Sequence, residues 1–256
     1  MADNKFPREI SLCLSGGAAK GAFQLGVISM LQEYGIEIKA ISGTSIGALI
    51  GASLASGNTP QEILETLKSK EFKKVFKLSL GSGFLYTIDI KNPIISKLVD
   101  KPSFEELDTP LEIAITNTQT AEAEYHNSGD KLVEFIIASC AIAPIIEPQK
   151  IDGVLYIDGG VIDNFPVQRL KKYPYKILGV NLYPHTKKAP TSLLGWLKKV
   201  VFIAWQSPNL AKRHECDYYL SSEHLNEINM FSFKDLDKAY QLGRREMKSK
   251  QQSWNL

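Results

Sequence analysis

The chain has 256 residues, 44% hydrophobic and 23% charged, an ordinary globular composition with enough apolar material for one large core. Its 30 basic and 28 acidic residues leave a formal charge of +2, too balanced to imply a nucleic-acid partner. The three cysteines, Cys13, Cys140 and Cys216, lie far apart, which argues against a disulfide framework or a zinc cluster and points to a reducing, cytoplasmic setting. The first residues carry no apolar signal region, and no apolar run reaches transmembrane length, so the expectation is a protein at most peripheral on a membrane.

Taken in chain order, Ile10–Leu14 is a short apolar run that ends in Ser15-Gly16-Gly17 and reads as a buried strand entering a glycine loop. Gly21–Tyr34 reads as a buried helix, closed by Gly35. Residues 36–41 read as a second strand, Gly43–Gly47 as a turn and Ile46–Ser56 as an almost wholly apolar helix ending at Gly57. Thr59-Pro60-Gln61-Glu62 is a capping box with proline at the first helical position, so a helix should run to about Ser69. From 70 to 110 the pattern is weaker: Gly81-Ser82-Gly83 marks a loop and Pro93–Val99 a short helix. Leu111–Thr116 and Ala123–His126 read as strands, and Lys131–Cys140 as a helix ended by Pro144. Asp152-Gly153 between two β-like runs signals a hairpin that delivers the strand Val154–Ile157. Ile177–Asn181 is a further strand, Leu193–Trp205 a markedly apolar helix and Asp235–Lys250 a charged amphipathic one. Strands alternating with helices imply an α/β fold, a mostly parallel central sheet with helices on both faces. We expect one domain over 1–256, with its motif-bearing core at about 10–181 and C-terminal helices over 190–256.

Gly43-Thr44-Ser45-Ile46-Gly47 fits G-x-S-x-G. A nucleophilic serine must stand clear of the sheet on a sharp strand-to-helix turn, where the flanking chain comes so close that only glycine fits two positions to either side. The helix that follows points its free N–H groups and dipole at the reacting centre. The motif alone is a weak signal; its position between an apolar strand and an apolar helix strengthens it.

The loop Ser15-Gly16-Gly17-Ala18-Ala19-Lys20-Gly21 has the small residues that let backbone N–H groups approach an oxyanion. Neither a dinucleotide fingerprint nor a P-loop fits its spacing. Lys20 reads equally as a phosphate-orienting cation or a solvated helix-start residue.

A serine nucleophile needs a positioned base. None of His126, His185, His214 and His224 follows a glycine-rich strand end. Asp158-Gly159-Gly160 does follow an apolar strand, so its carboxylate would emerge at a strand end with room for a second loop. Asp-Gly runs are commonly plain turns, as Asp152-Gly153 illustrates. Asp163 is given a supporting or capping role.

These stretches, in this order, resemble the patatin-like phospholipase family, which pairs a glycine-rich oxyanion loop, a G-x-S-x-G serine and an Asp-Gly-Gly/Ala aspartate. Two further stretches match it, Ala138–Pro144 before the aspartate and Asp158–Pro166 around it, so that the likeness covers about Ile10 to Asn181. The resemblance implies a Ser–Asp dyad of Ser45 and Asp158. It makes Gly16, Gly17, Ala18, Ala19, Lys20 and Gly21 the oxyanion loop, Gly43, Thr44, Ile46 and Gly47 the nucleophile turn, and Gly159 and Gly160 the aspartate motif. It also implies a lipid acyl-ester substrate, an acyl-enzyme intermediate, and no cofactor or metal. Two departures stand out: Ala18 replaces a usual glycine, whose positive φ a Cβ would disfavour, and Lys20 replaces the commoner arginine. The helix 193–205 reads as a core helix or a lipid-facing lid, and the loop 78–86 as part of an acyl site. A non-catalytic lipid-binding module on the same fold, and a soluble thioesterase or acyltransferase, remain as alternatives.

Overall fold

The computed structural model describes residues 6–79, 81, 83–184, 190–193, 195–196, 200, 203 and 211–256. The expected helix 193–205 lies largely outside them, as do Ser82 of the glycine loop and His185.

The first strand, β1 (Glu9–Leu14), is buried from its second residue onward because both of its faces are covered. It lies parallel to β2 (Glu37–Thr44) on one side and to β9 (Lys176–Val180) on the other. β10 (Tyr218–Leu220) extends the parallel half beyond β9. On the far side β2 runs parallel to β5 (Leu111–Asn117). The remaining strands are antiparallel: β6 (Glu122–His126) and β8 (Val154–Asp158) both pair with β5, and β7 (Gln149–Ile151) pairs with β8. The β7–β8 connection is the expected hairpin, with Asp152 and Gly153 both at positive φ (49° and 85°) as its two-residue turn demands.

Alternate residues of β1 feed two cores. Ile10, Leu12 and Leu14 join the larger one with α1 (Ala22–Glu33), α2 (Ile46–Ala55), α3 (Pro60–Lys68), α6 (Leu132–Ser139) and the C-terminal helix Leu236–Ser249. Cys13 joins the smaller one with Ala40, Phe165, Val167, Leu170 and Ile177, where the 3-10 run Val167–Lys172 forms the covering layer. The capping box at Thr59 forms as expected, with Glu62 N–H donating to Thr59 Oγ1 and Thr59 N–H donating to the Glu62 carboxylate.

Three boundaries differ from expectation. β2 continues past Ile41 to Thr44, since Gly43 and Thr44 still pair with Leu14 and Ala114. The weakly patterned region holds a short helix, α4 (Lys70–Lys73), and a hairpin of β3 (Phe76–Leu78) and β4 (Tyr86–Ile88), with α5 (Pro93–Leu98) after it. β10, three residues long, has too little periodicity to be seen in sequence.

Candidate active site

Ser45 stands alone between the end of β2 and the start of α2. Its φ of 55° and ψ of −126° place it in a region that costs a non-glycine residue of the order of 1–3 kcal/mol and persists only where the surroundings over-determine it. Those surroundings are tight: a Cβ on Gly43 would lie 2.5 Å from the Gly47 carbonyl oxygen, and one on Gly47 would lie 2.3 Å from that of Leu14. Gly43 makes room for the flanking chain, as the spacing suggested, whereas Gly47 makes room for the end of β1. The Ser45 carbonyl accepts the N–H groups of Ala48 and Leu49, so the residue caps α2 while its side chain points away from the helix ladder.

Strand register brings Asp158 to it. Along β5, Ala114 pairs with Thr44 and the next residue, Ile115, pairs with Asp158. β6 occupies the other edge of β5 over 113–117, so β8 enters, running the opposite way, on the edge that β2 vacates. Two strand ends therefore meet head-on, and the Ser45 hydroxyl comes within hydrogen-bonding reach of the Asp158 carboxylate. Both residues are 5% exposed. Burial pushes the Asp158 carboxyl up to about 7, against the lowering effect of Ser45 and of the Gly160 N–H, which donates to Oδ1 at 2.7 Å. A carboxylate tuned to that range is a far better proton acceptor for a hydroxyl than an ordinary one.

The glycine loop lies against the serine. A Cβ on Gly16 would sit 3.0 Å from Ser45 Cβ and 2.4 Å from Asn164 Oδ1. The loop is held by Gly16 N–H to the Asn164 carbonyl (3.3 Å), Ala19 N–H to Met230 (2.9 Å) and Lys20 N–H to Gly17 (3.2 Å). The N–H groups of Gly17 and Ala18 have no backbone acceptor among the described residues. Ala18 does adopt a positive φ, 49°, the conformation its Cβ disfavours. Lys20 is buried rather than solvated; its ammonium lies 5.6 Å from the Tyr183 ring centroid, and burial pushes its pKa down.

Asp163 has a different setting. Its carboxylate accepts from Lys212 at 2.6 Å, from the Tyr125 hydroxyl at 2.7 Å and from the Phe165 N–H at 3.0 Å, and its carbonyl accepts from Thr44 Oγ1 at 2.9 Å. It ties the loop after Asp158 to the end of β2, which is the supporting role expected of it. The histidines among the described residues have other partners: His126 stacks on Phe135, His214 accepts from Arg213 Nε and His224 pairs with Glu227. No group of residues that could hold a metal ion occurs among the described residues.

Two neighbours escaped a reading from the residues alone. Tyr183, on the loop after β9, has its phenol raised first by burial and then by the charge of nearby Asp158. Cys140, just past α6, places its thiol within hydrogen-bonding reach of the Ser45 hydroxyl. Neither carries a motif of its own, and Cys140 was marked only by the family resemblance of its segment.

The family model described as patatin-like phospholipase matches residues 12–171. A lysophospholipase nte1 from Aspergillus niger is 32% identical over 176 residues, which is 64% of this chain and 11% of that protein. A lysophospholipase NTE1 from Mycosarcoma maydis is 32% identical over 170 residues, 62% of this chain and 9% of its own length. This chain thus spans about a tenth of the length of these curated relatives. Among solved structures, VipD from Legionella pneumophila aligns with a TM-score of 0.56 at 16% identity, covering 96% of this chain and 67% of that one, a likeness of fold.

Proposed function

The chain belongs to the patatin-like phospholipase family, and on that premise we propose that it is a serine acyl hydrolase cleaving the acyl esters of phospholipids, with Ser45 as nucleophile and Asp158 as base. The observation that carries this reading is the apposition of the two side chains where β2 and β8 meet on β5, with the carboxyl raised by burial to about 7.

Asp158 takes the proton of Ser45 as the oxygen attacks the ester carbonyl. The N–H groups of Gly17 and Ala18 receive the negative charge that develops on the carbonyl oxygen, each such donor contributing about 3 kcal/mol. The alcohol leaves with the proton held by Asp158, and the acyl group remains on Ser45. Water then gives a proton to Asp158 and attacks the acyl-enzyme, releasing the fatty acid and restoring the serine. No step calls for a metal or cofactor. Exposed apolar side chains on the segments that carry the site suit a lipid: Val161 and Ile162 follow Asp158 in the chain, and Phe231 follows Met230, whose carbonyl holds Ala19. The buried ammonium of Lys20 suits an anionic substrate group. No helix among the described residues is long and apolar enough to cross a membrane.

The test is hydrolysis of a short-chain p-nitrophenyl ester and labelling by a fluorophosphonate. Wild type should show both, and Ser45→Ala neither. A folded wild type that does neither, or an Asp158→Asn variant with unimpaired turnover, would remove the assignment. Product analysis on defined phospholipids then decides between cleavage of diacyl and of lysophospholipids.

A further inference from the structure

The turn that presents Ser45 creates a backbone problem. β2 has ended at Thr44 and α2 begins at Ile46, so the Ser45 N–H belongs to neither ladder. A buried N–H without an acceptor is costly, because it has given up its hydrogen bond to water. The acceptor is the hydroxyl of Ser139, the last residue of α6, at 2.7 Å. The same hydroxyl donates to the Ala114 carbonyl at 2.8 Å. Ser139 is fully buried, and its hydroxyl both accepts and donates there.

Ala114 is not an arbitrary anchor. It pairs with Thr44, and its neighbour Ile115 pairs with Asp158. Its carbonyl oxygen lies so close to the aspartate turn that a Cβ on Gly159 would meet it at 2.2 Å. The Ser139 hydroxyl therefore fastens the backbone of Ser45 to the one peptide that registers Asp158. The two residues after it act on the same pair: the Cys140 thiol reaches the Ser45 hydroxyl, and the Ala141 carbonyl accepts the Asp158 N–H at 3.0 Å.

We propose that Ser139 is a positioning residue for the dyad: its hydroxyl, bridging Ser45 N–H and Ala114 C=O, holds the strained nucleophile turn at the distance and orientation that Asp158 needs. The proposal rests on the acyl-hydrolase reading of Ser45 and Asp158. A small hydroxyl is required, because the oxygen must accept and donate at once in a fully enclosed space. Alanine supplies neither bond, whereas threonine keeps both.

The experiment compares wild type, Ser139→Ala, Ser139→Cys and Ser139→Thr for p-nitrophenyl ester turnover, for the second-order rate of fluorophosphonate labelling, and for the pH dependence of kcat/KM. Ser139→Ala should lose about 10- to 100-fold in kcat with KM little changed, because a nucleophile displaced by about 1 Å pays on that scale. Labelling of the folded protein should slow in parallel. The pH midpoint should move up, as Asp158 loses part of the Ser45 hydrogen bond that lowers it. Ser139→Thr should recover most of the rate. A purely structural role would reduce the amount of folded protein and leave the labelling rate per folded molecule and the pH midpoint where they were; that result would overturn the proposal. If Ser139→Ala does not fold, Ser139→Cys, near in size and weak in hydrogen bonding, carries the same expectation and the same refutation. A wild type that neither turns over nor labels would overturn the acyl-hydrolase reading together with this proposal, whereas unimpaired labelling of folded variants would overturn this one alone.

Discussion

Asp158 ends β8 and Asp163 lies in the loop that follows it, and both are nearly excluded from water, at 5% and 3% exposure. Their surroundings have little else in common. Asp163 is supplied with an ammonium, a phenol and a backbone N–H, which fix its carboxylate in position. Asp158 is left with one backbone N–H and the Ser45 hydroxyl, and burial drives its proton affinity up. The contrast teaches that burial by itself assigns no role to a carboxylate. The count of donors decides whether it becomes a fixed anchor or a group that exchanges its proton near neutral pH.

Exchanging each aspartate for asparagine breaks or sharpens that contrast. Asp158→Asn should lower kcat/KM by at least about 1,000-fold, the scale on which loss of a dyad member acts. The same change should make the protein more stable at pH 8, by roughly 2 kcal/mol, because a costly buried charge disappears. A denaturation midpoint that falls instead would mean that Asp158 is held as Asp163 is.

Asp163→Asn should do the reverse. It should cost about 3 kcal/mol by leaving Lys212 without its counter-charge, while turnover per folded molecule changes little. Chemical denaturation and active-site titration on the same sample separate the two quantities.

The pH dependence follows from the raised carboxyl. Activity needs the ionised form, so kcat/KM should rise with pH through a midpoint near 7 and fall about tenfold per unit below it. Stability runs the other way. The Asp158 contribution is fully present below the unfolded value near 3.8 and is lost as pH rises through about 7. The stability gap between wild type and Asp158→Asn should therefore be widest above pH 7 and close towards pH 4. A gap independent of pH would detach the stabilisation from the carboxyl.

The smallest effect tests strain instead of charge. Ala18, like Asp158, occupies a costly state at the site, here a φ of 49°. Ala18→Gly should stabilise by about 1 kcal/mol and keep the activity, since glycine reaches that conformation freely and still provides the N–H. Thermal unfolding measures the shift; a destabilised variant would mean that the alanine methyl packs more than its backbone strains.

Much of this could be read from the residues. The runs Ile10–Leu14 and Leu111–Thr116, the capping box at Thr59, the Asp152-Gly153 turn and Gly43 before Ser45 each state a requirement that arises among near neighbours in the chain, whereas Gly47 answers to the end of β1. The hairpin β3–β4 and the strand β10 are three-residue pieces with no period to detect, and they exist because neighbours pair with them. Lys20 was ambiguous because its surroundings include Tyr183, which lies far away in the chain. Ser139 was invisible as more than part of a resembling segment, since one serine at the end of an apolar helix has no local pattern that reveals what its hydroxyl will meet.

By itself, then, the amino-acid order determined a sharp serine turn between a strand and a helix, a glycine loop, an aspartate at a strand end and a predominantly parallel α/β scaffold. Those depend on sterics and hydrogen bonding within a few residues. Only the tertiary structure decided that β2 and β8 meet head-on along β5, that Ser139 spans the junction, and that Asp163 pairs with Lys212. Strand register, burial and donor count arise between segments distant in the chain, and no local pattern encodes them.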